Sequence, residues 1–340
     1  MAVTIKQIAT IAGVSRATVD KVLNNRAGVK KETKETILKI AKELNYQPNL
    51  IGKALVMSKK RNKIGIVMTP YYNPFVQAML EGVNAAAAEI APFGLEIETK
   101  MMVSLDAGEL INILNYFESE SFAGVAVFPI NDPAVVRKVN RMIADGMPVI
   151  TFNSPVESIH SICFVGQNHY IGGRVAASLL GRRIRGDGKT AIIYSSRSLS
   201  CHTERMRGFR DKLGEAYPGI RIVETLENQD KSEESFKYTM DLCRKYPDLD
   251  SIYITSGGVS GICSALDILG LAGRIRVICH DIPAKVCPLL KSGVIDFSIE
   301  QNAYDQGYKL VQILFNYLIK GIEPERSVQV PISILTDELV

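Results

Sequence analysis

The sequence predicts a small all-α head joined to a larger α/β body made of two doubly wound parallel-sheet lobes. Three observations carry that prediction. The chain has 340 residues, too many for one simple core. Its first segment repeats apolar residues at helical spacing. From residue 62 onward, β-like apolar runs alternate with helix-length amphipathic segments, the pattern of parallel sheets wrapped by helices.

The head opens on Thr4-Ile-Lys-Gln7, a capping-box pattern that starts a helix at about Ile5. Its apolar stripe is Ile5, Ile8, Ala9 and Ala12. Gly13 permits a tight turn, and the Ser15 hydroxyl is placed to cap a second helix running to about Asn24. In that helix Val19, Val22 and Leu23 form the inner face, while Arg16, Ala17 and Lys21 point elsewhere. A third helix, from Lys31 to about Leu44, buries Ile37, Ile40, Ala41 and Leu44. Two short helices across a glycine turn, closed by a third, make a helix-turn-helix.

Charge sets this head apart. Residues 1–63 hold 14 Lys and Arg against 4 Asp and Glu, a net of +10, and the remainder nets −6. A basic head on a mildly acidic body suits a polyanion, because neutralising phosphates releases counterions. A solvated lysine-rich face is the plainer alternative. The segment YQPNLIGKALVMSKKRNK (46–63) combines a proline turn, a short apolar run and a basic tail, and on its own reads as an interdomain linker.

In the body, IGIVMT (64–69), LEIET (95–99), GVAVFPI (124–130) and PVITFN (148–153) interleave with helices near 74–91, 106–120 and 132–145. A second series follows with TAIIYSS (190–196), RIVETL (221–226), SIYITS (251–256), RVICHD (276–281) and FSIEQ (297–301). No run of eighteen apolar residues predicts a membrane span, and MAVTIKQIAT lacks the apolar centre of a signal peptide. Six cysteines without a CxxC pair read as buried thiols of a reducing cytosol. Four histidines without HExxH spacing argue against a metal. SGGVSG (256–261) departs from GxGxxG, and neither a phosphate loop nor a nucleophile elbow occurs, so no cofactor and no catalytic residue are expected.

TIKQIATIAGVSRATVDKVLN, followed by ELNYQPNLIGKAL, closely resembles the DNA-binding head of the LacI/GalR family of bacterial repressors over residues 3–56. The resemblance implies that the second helix enters the major groove. Arg16 and Ala17 would then read bases, Lys21 would contact a base or phosphate, and Thr18 and Asn24 would position the backbone. Thr4, Ser15 and Lys53 complete the DNA-facing set. Leu55 matches the residue that family members wedge into the minor groove from a hinge ordered on operator DNA. Asp20 stands where the family usually has serine, and Lys30 occupies the usual serine cap of the third helix.

The body is similar to ribose-type periplasmic sugar-binding proteins, the module that this family uses as its effector domain. That likeness implies three crossings between lobes, placed near 166, 301 and 326. Ligands of open α/β sheets collect at the carboxyl ends of the strands. Asn73 and Phe75 (with Tyr72 beside them), Asn153, Arg205, Asp281 and Gln301 fall there, and together they are the expected effector site. SGGVSG replaces the Asn-Asp pair common in sugar binders, and Val76 replaces a second aromatic. SSRSLSCHTERMR, with Arg197, His202, Arg205 and Arg207, leaves room for an anionic effector.

The expected organisation is a head over 1–46, a hinge over 47–61 and an effector domain over 62–340. Lobe 1 would comprise about 62–166 and 302–325, and lobe 2 about 167–301 and 326–340. The expected function is that of a cytoplasmic, homodimeric, non-enzymatic transcriptional regulator. It would bind near-palindromic double-stranded operator DNA under the control of a small sugar-like effector. A solute-binding protein without a DNA role and a sugar-modifying α/β enzyme are the rivals.

Overall fold

The computed structural model describes residues 3–23, 28–44, 46, 63–70, 74–184, 186–282 and 286–339. The head forms α1 (Ile5–Ala12), α2 (Arg16–Leu23) and α3 (Lys31–Glu43). Thr4 and Gln7 make both bonds of the capping box, and Gly13 ends α1 at φ +65°, a left-handed conformation that costs glycine nothing. Ser15 Oγ accepts from the Thr18 amide at 3.0 Å, starting α2. Lys30 supplies no side-chain cap to α3, as its substitution for serine predicts. Ile8, Ala9, Val19, Val22, Ile37 and Ala41 close the core, rimmed by Ile5, Ala12, Leu23, Ile40, Leu44 and Tyr46.

The body holds two six-stranded sheets. In chain order the first half gives β1 (Lys63–Met68), α4 (Pro74–Ile90), β2 (Glu96–Met101), α5 (Ala107–Ser119), β3 (Gly124–Val127), α6 (Pro133–Ala144), β4 (Val149–Phe152) and β5 (Cys163–Gly166). The second gives α7 (His169–Arg183), β6 (Gly188–Tyr194), α8 (Ser200–Ala216), β7 (Ile220–Glu227), α9 (Ser232–Lys245), β8 (Ser251–Ile254), α10 (Val259–Ile268), β9 (Arg276–His280), α11 (Cys287–Lys291) and β10 (Phe297–Glu300). Then α12 (Ala303–Phe315), β11 (Ser327–Gln329) and β12 (Ser333–Leu335) close the chain. Strand order is β11-β5-β4-β3-β1-β2 in one sheet and β12-β10-β9-β8-β6-β7 in the other. Every pairing is parallel except β10 with β12.

Central strands are buried on both faces, so they read as continuous apolar runs, and separate apolar clusters fill the two sides of each sheet. Helix pairs cross at glycines. A Cβ on Gly82 of α4 would lie 2.0 Å from the Tyr304 carbonyl oxygen of α12, and one on Gly173 of α7 would lie 1.9 Å from that of Arg205 on α8. Only a missing side chain lets these backbones come so near.

The chain passes from the first sheet to the second after Gly166 and returns after Glu300. The third passage differs from the expected position near 326. Ser327–Gln329 still pairs with Phe164–Gly166 of β5, so the crossing falls between Gln329 and Ser333. An otherwise open β5 edge draws these residues in, the Phe164 amide donating to the Arg326 carbonyl and the Val330 amide to that of Gly166. One buried side chain ties all three passages, since Gln167 Nε2 donates to the carbonyls of Glu300 and Pro331, each at 2.7 Å.

Candidate functional site

On the head, Arg16, Ala17 and Lys21 are exposed along one side of α2, opposite the buried Val19 and Val22. Thr4 and Ser15 are exposed caps. The half-buried Thr18 hydroxyl shares a 2.8 Å hydrogen bond with that of Ser15, so this pair fixes the start of the helix. Asp20 lies near Tyr46, whose phenol is pushed up by burial first and by that carboxylate second. Asn24, Lys53 and Leu55 lie outside the described residues.

Between the two sheets lies a cleft with about 480 Å³ of empty space, part of it open to solvent. Phe75, Asn153, Arg205, Asp281 and Gln301 all line it, while Tyr72 and Asn73 fall outside the described residues. Phe75 opens α4. Asn153 and Asp281 each sit one residue beyond a strand, at φ +57° and +42°. Asn and Asp tolerate left-handed backbone better than most residues, and here that turn aims the side chain off the strand end into the cleft.

Gln301 sits just past β10 and joins the lobes. Asn153 Nδ2 donates to Gln301 Oε1 at 2.8 Å, and Gln301 Nε2 donates in turn to Asp281 Oδ2. The Gln301 amide donates to Asp281 Oδ1 at 3.0 Å. Asp281 is half-buried, and desolvation pushes its carboxyl up against the opposing pull of the Arg205 cation. Behind it, Glu300 is pushed up to about 8, by burial first and by the Asp281 carboxylate second.

Arg205 is 2% exposed, and its Nη1 donates to the Thr255 carbonyl at 2.7 Å. Its Nε and Nη2 have no hydrogen-bond partner among the described residues. Around it stand three buried, neutral histidines. Burial and then the Arg205 charge hold His169 and His280 well below the usual imidazole range, and His202 at about 3. His280 Nε2 pairs with the Tyr253 hydroxyl at 2.9 Å, and Tyr253 stacks on Phe209 of α8.

Neighbouring cations expected near the effector point elsewhere. Arg197 donates to the Tyr194 hydroxyl, and Arg207 pairs with Glu204 and lies over the Tyr170 ring. Helical phase separates them. His202, Arg205, Met206 and Phe209 form the buried i, i+3, i+4, i+7 stripe of α8, from which Arg207 is excluded. Sequence reasoning missed Thr69, Phe128, Leu199, Cys201 and Asp230 of the lining, whereas Ser256 and Gly257 belong to the SGGVSG segment. Asp230, at φ +59° in the turn after β7, accepts from the Gly257 amide at 2.7 Å. It supplies a carboxylate where SGGVSG lacks one. Its signal was the polar Asn-Gln-Asp run at the end of an apolar strand.

No disulfide joins any of the six cysteines, and burial pushes Cys201 up to about 11 and Cys263 to about 12. Among the described residues no cluster of His, Cys, Asp and Glu is arranged for a metal. No helix among them is long and apolar enough to cross a membrane.

Two parallel lobes, joined by three strands of chain around a polar cleft, define a two-lobed binding protein of the periplasmic type with a three-helix head. The periplasmic binding protein domain model matches residues 64–322, and the model for bacterial regulatory proteins of the lacI family matches residues 4–49. A ribose operon repressor of Bacillus subtilis is 25% identical over 341 residues, covering 97% of this chain and 96% of that one. The HTH-type transcriptional regulator MalR of Streptococcus pneumoniae is 27% identical over 277 residues, 78% and 79% of the two chains. In structure the body is like GanP, a glucose-galactose binding protein from Geobacillus stearothermophilus. The TM-score is 0.76 at 21% identity over 82% of this chain and 98% of that one, a likeness of fold. The chain belongs to the periplasmic-binding-protein domain family and carries a lacI-family head, which makes it a LacI-type DNA-binding transcription regulator.

Proposed function

We propose that the protein is a cytoplasmic homodimeric repressor whose grip on a near-palindromic operator is set by a small sugar-like molecule held between the lobes. The observation that carries this reading is the Asn153–Gln301–Asp281 chain, which joins both lobes at strand ends beside a buried guanidinium with donors to spare. A ligand bonded to Asn153 and Phe75 on one side and to Arg205 and Asp281 on the other interacts differently with open and closed lobes. Only that difference lets it shift their balance. Sugar hydroxyls suit the carboxylate and guanidinium, and Phe75 suits a ring's C–H face.

On DNA, Arg16 and Ala17 read base edges in the major groove, and Lys21 meets a base or phosphate. Thr4, Ser15, Thr18 and Asn24 fix the backbone, and Lys53 and Leu55 act in the hinge. A single α2 reads too few base pairs, so two heads related by a two-fold axis read paired half-sites. No cofactor, metal or catalytic group enters this reading. Two measurements test it. Salt-dependent binding of duplex DNA is expected of a regulator and of neither rival. A thermal-shift screen of pentoses, hexoses, polyols and their phosphates should raise the melting temperature of the body with at least one of them. DNA binding with no salt dependence, or no shift with any of these compounds, contradicts it.

A further inference from the structure

The cleft contains a buried cation with a donor edge that has no hydrogen-bond partner among the described residues, and this bears on the class of ligand it takes. A guanidinium is planar. Its Nε–H and the adjacent Nη2–H lie side by side on one edge, forming a two-pronged donor that matches the two oxygens of a carboxylate. In Arg205 that edge is the unpartnered one, while Nη1 on the opposite edge is spent on the Thr255 carbonyl. The side chain is 2% exposed and lines the cleft. No carboxylate lies within ion-pair distance of it among the described residues.

The neighbours do not make up the deficit. His169, His202 and His280 are neutral and have no negative form to offer. Asp281 accepts from the Gln301 amide and from Gln301 Nε2, so both of its oxygens are engaged at the hinge. Asp230 is turned to the Gly257 amide. A charged donor edge buried without a partner is unfavourable, and a ligand that brings one negative charge and two coplanar oxygens relieves it.

We infer that the effector is a sugar acid, a polyhydroxylated molecule whose carboxylate docks on the Nε and Nη2 edge of Arg205. This inference rests on the proposed sugar-like effector and narrows it. A phosphate ester fits less well. It carries close to two negative charges, and the described cleft residues present one guanidinium beside two aspartates. The aromatic side, Phe75 and Phe128, belongs to the first lobe, and the cationic side belongs to the second. A sugar acid presents both a C–H face and an anionic end, so it spans both.

The test uses calorimetric titration of the full-length protein at fixed ionic strength. Probes are D-glucuronate, D-galacturonate and their aldonate counterparts, the neutral parents D-glucose and D-galactose, and D-glucose 6-phosphate. At least one acid is expected to bind about 100-fold or more tightly than its neutral parent. Arg205→Lys keeps the charge and removes the two-pronged edge, and it is expected to lose at least about 30-fold in acid affinity. The ranking of acid against parent in the wild type needs no variant, so a poorly folded Arg205→Lys does not remove the test. A neutral parent that binds as tightly as its acid, or a phosphate that binds more tightly, overturns the carboxylate and leaves the sugar-effector reading in place. Absence of binding by every probe overturns the sugar acid, and the sugar-effector reading falls with it only when the wider carbohydrate screen also gives no shift.

Discussion

Acidifying the protein from pH 7 to pH 5 is expected to destabilise the second lobe through its three buried histidines. His169, His202 and His280 are neutral when folded, because burial and then the Arg205 charge oppose a second cation, with His202 at about 3. In the unfolded chain the same rings titrate near about 6.5. Their folded values are lowered, so their contribution to stability is fully present above that pH and is lost as pH falls below it. By pH 5 the His202 ring alone costs roughly 2 kcal/mol, and His169 and His280 act in the same direction.

Glu300 opposes this. Its folded value is raised to about 8, so its contribution is present at low pH and is lost as pH rises toward 8. Moving from pH 7 to pH 5 therefore returns roughly 2 kcal/mol. Asp281, also raised, opposes the histidines as Glu300 does, and the three rings together outweigh the two carboxyls, leaving a net loss on acidification. Paired surface carboxylates such as Glu215 and Glu224 have lowered values and act mainly below this window. Urea unfolding followed by far-UV circular dichroism at pH 7, 6 and 5 reads the loss. His202→Gln should flatten the pH dependence by one ring's share, roughly 2 kcal/mol. A midpoint that stays still or rises on acidification refutes the reasoning, as does an unaltered slope in His202→Gln.

The head and the helix crossings offer further tests. Arg16→Ala is expected to cost about 1–3 kcal/mol on operator DNA and far less on random duplex, measured by fluorescence anisotropy at one salt concentration. Equal losses on both would make Arg16 a phosphate contact. Gly173→Ala forces a methyl group against the Arg205 carbonyl and should cost about 1–3 kcal/mol by overpacking, with weaker ligand binding as Arg205 shifts. Gly214→Ala on the same α8 meets nothing within 4 Å and should be neutral or gain up to about 1 kcal/mol. Thermal melts of the two variants that did not differ would remove the close approach from the explanation.

How far these features were legible depends on the range of the interactions that make them. The head is almost wholly readable, because the Thr4–Gln7 box, the Ser15 cap and the apolar stripes act within one or two helical turns. Strands buried on both faces announce themselves as apolar runs. β5, only Cys163–Gly166, went unread, and β11 carries Ser327 and Gln329 on an exposed edge that does not look like a strand. Phe75, Asn153, Asp281 and Gln301 were found because strand ends can be located from the runs that precede them. Asp230 was not, because its place depends on a left-handed turn and on the distant Gly257 amide. The Gln167 tie joins segments 133 and 164 residues away in sequence, and no local pattern encodes it. Choosing Arg205 over Arg207 as the inward cation required only the helical phase of α8, which the sequence contains.

The central claim is that occupancy of the cleft sets the grip of the head on DNA. It is tested most directly by the affinity of the full chain for a duplex selected from a random-sequence library, at fixed salt. The measurement is made with and without the compound from the carbohydrate screen that most raises the melting temperature, in the wild type and in Asp281→Asn. Asparagine keeps the left-handed backbone at φ +42° and removes the carboxylate. In the wild type the compound is expected to change DNA affinity by about 5- to 150-fold. Asp281→Asn should bind the duplex as the wild type does without the compound and should respond weakly or not at all when it is added. Wild-type affinity that is the same with the cleft filled and empty contradicts the claim, and so does a full response in Asp281→Asn.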